Sequence, residues 1–573
     1  MRSLKTAIAA LLIGAMALAP AQAASPLPVA AEHGMVVSAH RLATQAGIDV
    51  LKHGGNAVDA AVAVGYALAV TFPEAGNIGG GGFMTIRFHD GRKAFIDFRE
   101  TAPMAATATL YQDAKGNVIP GLSTRGYRAV GIPGTVAGLE LARVRYGTQA
   151  RRTLMAAAIH LARDGFVLDQ ADADFLAEGL DDFRKDKPTG AIFTNRGKAW
   201  EPGQKLVQAD LGRALQLISD KGASAFYQGP IAERIVAASR AHGGIMTVAD
   251  FAQYKAREMK PLECDYRGWH MISAPPPSSG GVVLCETLNI LEGYKLGALG
   301  FHSAQGTHYL IEAFRRAYHD RNMNLGDPSF VKADIAHFTD KDYAARLRAG
   351  ISPDKATPSS SLAGPGDGHE GQSTTHYSIV DAQGNAVSVT YTLNDWFGAR
   401  ITPAGTGILL NDEMDDFSSK PGVPNMFGLV EGTNNAIAPG KRPLSSMTPT
   451  IVTRDGKLAM VVGTPGGSRI PSAVIQVIMN VIDYGMTMQE AVDAPRIHEQ
   501  WMPDHVGYEH DALSADTMAA LEAKGHKLEE MPYGNQIAAI LVGAPAADGK
   551  PIGRNKLYGS IDPRIRTGDV GGY

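Results

Sequence analysis

The chain has 573 residues, 45% hydrophobic and 20% charged, which excludes wholesale disorder and leaves ample apolar material for a large core. Its 54 basic and 58 acidic side chains give a formal charge of −4, so composition makes no electrostatic case for a nucleic-acid partner. At about 150 residues per domain the length alone predicts three or four domains, and Cys264 and Cys285 permit one disulfide at most.

Arg2 and Lys5 open a short basic region, residues 7–19 are uncharged, Pro20 breaks the run, and Ala21-Gln22-Ala23 supplies a small-x-small cleavage pattern. This layout predicts a signal peptide over 1–23 and a mature chain from Ala24 that is periplasmic, with secretion to the medium as the alternative. Thirteen apolar residues fall short of the roughly 20 that span a bilayer, so no membrane anchor is expected in the mature form. Ser38 is expected to cap a helix over Arg41–Lys52 that stops at Gly54-Gly55, and Asn56 a second helix over 57–70. The run Gly76-Asn77-Ile78-Gly79-Gly80-Gly81-Gly82 lacks the spacing of phosphate-cradling loops and reads as a tight turn into a strand over 83–88. A turn at Asp90-Gly91 returns the chain as a strand over 94–98, leaving Arg99 at its end. Helical periodicity then dominates from 136 to 348, punctuated by Pro275-Pro276-Pro277-Ser278-Ser279-Gly280-Gly281, which launches a helix over 282–291.

Residues 352–371 change character: Ser, Pro, Gly, Asp and Thr crowd in, almost without large apolar side chains, which predicts a linker. A hairpin follows at once, with strands over 376–380 and 386–393 around the turn residues Asp381-Ala382-Gln383-Gly384-Asn385. A loop centred on Gln383 sets Thr374 across from Thr392, and Asn394 then points to the same face as Thr392. A threonine behind a flexible linker is a candidate hidden nucleophile. Were the chain cut between Ser373 and Thr374, Thr374 would gain an α-amine of pKa roughly 7.7–8.0, suited to activate its own hydroxyl.

The segment Gln372-Ser373-Thr374-Thr375-His376-Tyr377-Ser378 resembles the processing site of γ-glutamyltransferases. Further matching blocks are Lys52-His53-Gly54-Gly55-Asn56-Ala57-Val58-Asp59-Ala60-Ala61, Asp97-Phe98-Arg99-Glu100 and the Pro275–Gly281 motif. They continue through Met414-Asp415-Asp416-Phe417, Pro443-Leu444-Ser445-Ser446-Met447 and Pro465-Gly466-Gly467-Ser468-Arg469, in family order from about residue 35 to the end. The resemblance implies a four-layer αββα N-terminal-nucleophile hydrolase fold. It also implies a precursor that cuts itself between Ser373 and Thr374 into a heavy chain, 24–373, and a light catalytic chain, 374–573, which together form one composite domain. Thr374 would carry the γ-glutamyl group as an ester, with Thr392 beside it and Gly466 and Gly467 donating backbone N–H groups to the oxyanion. Arg99, with Ser445 and Ser446, would grip the substrate α-carboxylate, while Asn394, Glu413 and Asp416 surround the α-ammonium.

The implied substrates are glutathione and related γ-glutamyl compounds, with amino acids, peptides or water as acceptors and no cofactor. No metal is called for either: 17 histidines include no HExxH, and His498-Glu499-Gln500-Trp501 lacks the second histidine. Asp395-Trp396 and Phe427 depart from the family pattern. Phe427 lies in an expected lid, 421–432, where a tyrosine often sits, so closure is expected to be looser or to rest on packing against Trp396. Two alternatives stand beside the leading reading: a cephalosporin (glutaryl-type) acylase or polyglutamate-cleaving relative, and a non-catalytic periplasmic binding protein.

Overall fold

The computed structural model describes residues 25–362, 374–543 and 556–573. The signal peptide expected over 1–23, linker residues 363–371 and Ser373 lie outside the described residues. Two seven-stranded antiparallel sheets form the centre. The first runs Asp569–Gly572, Met35–Ser38, Thr375–Val380, Ala386–Thr392, Gly81–Arg87, Lys93–Asp97 and Arg257–Met259. The second runs Val29–Ala31, Leu557–Ile561, Ala538–Val542, Lys457–Gly463, Thr450–Arg454, Trp269–Ser273 and Leu262–Tyr266. Each sheet combines strands from before and after residue 374, so a backbone cut there would leave both sheets hydrogen-bonded.

The sheets pack face to face, and helices cover both outer faces, giving layers in the order α, β, β, α. Arg41–Lys52 and Ala57–Thr71 lie on the first sheet; Gly280–Leu291 and Ile470–Ile482 lie on the second. Ala57–Thr71 is buried along its whole length, which its Ala, Val and Gly side chains permit. Cys264, on the edge strand Leu262–Tyr266, is disulfide-bonded to Cys285 of the covering helix.

Period-two alternation sorts the hairpin residues. Tyr377, Ile379, Val387, Val389 and Tyr391 join the core beneath the helices. Their neighbours His376, Ser378, Ser388 and Thr390 are also buried, so each needs a partner. His376 Nδ1 lies 2.8 Å from Thr390 Oγ1, Ser378 donates to the Ala538 carbonyl at 2.9 Å, and Ser388 to that of Val462 at 3.3 Å. Burial pushes the His376 imidazole down to about 3, so it is neutral at physiological pH.

Several expectations need correction. Ser38 does not cap the first helix: its hydroxyl bonds to Thr44 and the His40 carbonyl, and His40 Nδ1 accepts the Leu42 N–H instead. The expected helical stretch contains five strands: the two-residue Phe166–Val167 and Lys205–Leu206, and the longer Arg257–Met259, Leu262–Tyr266 and Trp269–Ser273. The described part of the linker includes a short helical turn, Ser359–Leu362. Ser359 is buried there, with its hydroxyl 2.9 Å from Asp504 and its carbonyl accepting the Trp501 indole N–H at 3.1 Å.

The glycine run bends over residues 78–80 into the strand, as expected, but not because glycine conformation demands it. None of residues 79–82 has a positive φ, and the strand already begins at Gly81. What requires glycine is space: a Cβ on Gly79 would lie 2.0 Å from the Leu409 carbonyl oxygen, and one on Gly80 1.9 Å from that of Thr392. Asn77 closes the junction, donating to the Thr392 carbonyl at 2.8 Å while accepting from Gly80 N and Thr135 Oγ1, both at 2.8 Å. Gly80→Ala therefore drives a methyl into backbone and is expected to cost about 1–3 kcal/mol. Chemical unfolding measures this; an unchanged midpoint would mean that the two backbones do not meet.

Candidate active site

The hairpin register is the expected one: Thr375 pairs with Tyr391, which sets Thr374 and Thr392 at the open end beside Gly81. Thr392 Oγ1 accepts the Asn394 N–H at 2.9 Å, and Asn394, at φ +82°, turns the chain out of the sheet. Asparagine is among the few non-glycine residues that enter this region readily. Its amide donates to the Asp412 carbonyl at 3.1 Å.

Arg99 emerges two residues beyond Lys93–Asp97 and is fully buried. Its guanidinium bonds to Glu413 through one terminal nitrogen and to Asp416 through the other, and its Nε donates to the Pro443 carbonyl at 3.2 Å. Burial pulls this guanidinium down, but Glu413 and Asp416 outweigh it and hold its pKa above the usual range. Burial likewise raises the Glu413 carboxyl, with Arg99 opposing. The sequence reading set Arg99 on one side of the substrate and the acids on the other. The structure has them in contact, paired directly with one another.

Ser445 and Ser446 are presented by the proline-serine-glycine motif. Ser445 N donates to the Pro277 carbonyl at 2.8 Å, Ser279 N and Oγ both donate to the Ser445 carbonyl at 2.7 Å, and Ser278 Oγ donates to Met447 O at 2.5 Å. A Cβ on Gly280 would meet Thr448 Oγ1 at 2.2 Å. The motif thus launches the helix Gly280–Leu291 and also cradles the serine segment.

Thr374, Thr392, Asn394, Arg99, Glu413, Asp416, Ser445, Ser446 and Gly467 line one cavity of about 280 Å³. Gly466 stands one residue behind. Both glycines have positive φ, +131° and +55°, and a Cβ would strike Asn535 at 2.3 Å from Gly466 and Phe427 at 2.4 Å from Gly467. Among the described residues neither backbone N–H has a hydrogen-bond partner. The pair precedes the helix Ile470–Ile482, which adds the positive end of a helix dipole.

Phe427 lies over Gly467, and Gln500 holds its carbonyl at 3.1 Å. Trp396 packs against the helical core of the first sheet. Asp415, raised to about 6 by burial with Ser123 and Met426 N–H opposing, ties the lid to the site: it accepts the Met426 N–H at 2.9 Å. Three buried residues had no signal in the sequence. Arg321 donates to Ser446 at 3.3 Å and pairs with Glu431, while Asn435 donates to the Asp416 carbonyl at 2.6 Å. One group with metal-ligand geometry occurs among the described residues, His308, Glu312 and His526. Its carboxylate already bonds Arg316 at 2.7 Å and Thr357 at 2.5 Å, and that positive neighbour opposes a cation.

A family model described as gamma-glutamyltranspeptidase matches residues 43–572. The glutathione hydrolase proenzyme of Pseudomonas sp. (strain A14) is 62% identical over 558 residues, covering 97% of each chain. That of Escherichia coli (strain K12) is 47% identical over 583 residues, covering 99% of each. The crystal structure of cephalosporin acylase from Bacillus halodurans superposes with a TM-score of 0.83 at 27% identity, over 97% of this chain and 98% of that one.

Glu100 has both carboxyl oxygens buried without partners among the described residues, and burial raises it to about 7, with Arg99, 3.9 Å away, opposing. An acid raised in the folded state lends stability below its unfolded value of 4.5, and that stability is lost as pH rises through about 7. Glu100→Gln is therefore expected to gain stability relative to the parent as unfolding is measured from pH 4.5 to 7; parallel curves would contradict this. The glycine pair, the proline cradle and the paired Arg99 are thus features of a chain that belongs to the γ-glutamyltranspeptidase family.

Proposed function

We infer that this protein is a γ-glutamyl hydrolase and acyltransferase acting on glutathione and related γ-glutamyl amides, with Thr374 as its nucleophile. One observation carries the reading: a single buried cavity joins a threonine hydroxyl to a guanidinium flanked by two carboxylates. A γ-glutamyl group needs both halves. Its α-carboxylate is received by Arg99 and the hydroxyls of Ser445 and Ser446, its α-ammonium by Glu413, Asp416 and Asn394. This places the γ-carbonyl toward Thr374.

Thr374 Oγ attacks that carbonyl while the α-amine freed by self-cleavage takes the hydroxyl proton. Negative charge then grows on the carbonyl oxygen, where the unpartnered N–H groups of Gly466 and Gly467 receive it; one such donor is worth about 2.7–4 kcal/mol. The amine passes its proton to the leaving nitrogen, and water or the amine of an amino acid or peptide resolves the ester. In maturation the same hydroxyl attacks the Ser373 carbonyl, the Ser373–Thr374 C–N bond breaks as its nitrogen takes the hydroxyl proton, and water hydrolyses the resulting ester to leave heavy and light chains. Thr392, whose carbonyl is locked by Asn77, keeps the hairpin end in register beneath the nucleophile. The basic, apolar and small-residue start of the chain supports export to the periplasm.

The likeness to a cephalosporin acylase favours a second reading, a glutaryl-type acylase. The charge balance separates the two, because a glutaryl group brings no ammonium to meet the second carboxylate. Comparing γ-glutamyl with glutaryl p-nitroanilide is expected to give kcat/KM at least about 100-fold higher for the former. Asp416→Asn should narrow that ratio by lowering the γ-glutamyl rate. Faster glutaryl release would overturn the reading.

A further inference from the structure

Away from this site, a second cavity lies between the end of the helix Ala57–Thr71 and the helix Gln170–Glu178. Four phenylalanines line it, Phe72, Phe166, Phe175 and Phe397, with Phe72 and Phe175 edge-to-face at 5.9 Å. Into this aromatic wall the chain sets Glu74, which is 2% exposed and whose Oε2 has no partner among the described residues. Asp172, also in the wall, is already engaged by His40 at 3.1 Å and by Asp169 N at 3.0 Å. Burial keeps the Glu74 carboxyl well above its usual range, reinforced by the nearby acid Glu178.

A buried carboxyl oxygen without a partner is costly, and a cation at the cavity would both pair it and favour its ionised form. Aromatic faces attract cations, most strongly when both are desolvated. An anion would be repelled by Glu74 and Glu178, and an uncharged hydrocarbon would leave the Glu74 oxygen unpaired. We propose that this cavity binds a small organic ammonium ion, its charge against Glu74 and its alkyl body among the phenylalanines. Phe175 is the one ring of the four that is not fully buried. The cavity is connected to the candidate active site: Phe397 N donates to the Glu74 carbonyl at 2.8 Å, three residues beyond Asn394.

The test is calorimetric titration of the mature protein at pH 8 with n-butylammonium, saturating L-glutamate being present to occupy the first site. n-Butanol and butyrate serve as the uncharged and anionic comparators. Saturable one-to-one binding of n-butylammonium is expected, at least tenfold tighter than n-butanol and at least tenfold weaker in Glu74→Gln. Phe175→Leu, which keeps the apolar volume at a part-exposed position, is expected to weaken the ammonium and leave n-butanol unchanged, and it serves if Glu74→Gln does not fold. No saturable binding, equal affinity for n-butanol, or indifference to both substitutions would overturn the proposal.

Discussion

The buried pairing of Arg99 with Glu413 and Asp416 is the constraint on which the site depends. Charges taken out of water are tolerated only in company, and removing one partner of such a group typically costs 3–5 kcal/mol. Here one guanidinium faces two carboxyl groups, and burial holds one of them, Glu413, toward its neutral form with Arg99 opposing. On the proposed reading this arrangement suits a ligand that bears its carboxylate and ammonium on one carbon.

Holding this cluster requires segments far apart in the chain to meet without slack. Arg99 comes from a strand end, Glu413 and Asp416 from a single helical turn, and Ser445 and Ser446 from a stretch cradled by residues 277–280. Arg442 adds a second brace, since it and the Tyr254 hydroxyl both bond to the Arg99 carbonyl. On the other side, the absence of side chains at residues 79–82 lets backbone meet backbone under Thr392. Glycine therefore acts in two ways here. At Gly79 and Gly80 it permits close approach, whereas at Gly466 and Gly467 it also permits a positive φ that turns N–H groups away from the protein's own acceptors.

Much of this is legible in the sequence alone. The end of the Arg41–Lys52 helix before Gly54, the Asn56 cap and the hairpin register follow from glycine stops, capping chemistry, turn residues and period-two alternation, which act locally. The strands within 257–273 were not legible, because they are three to five residues long and the last two belong to the edge of a sheet completed by residues nearly 200 positions away. Arg321, Glu431 and Asn435 are ordinary polar residues in sequence, and only the packing makes them buried. The glycine run shows the same limit: composition reveals that small residues are needed, not whether conformation or space demands them. Length misled more, since three or four domains were expected where two sheets share strands from the whole chain.

The central claim is that Thr374 becomes an N-terminal residue and does the chemistry. Intact mass and N-terminal sequencing of the purified protein, beside Thr374→Ala, test it most directly. Two chains beginning at Ala24 and Thr374 are expected for the parent, and one uncut, inactive chain for the variant. A parent that hydrolyses γ-glutamyl amides while remaining a single chain, or a variant that is still cut at the same bond, would contradict it.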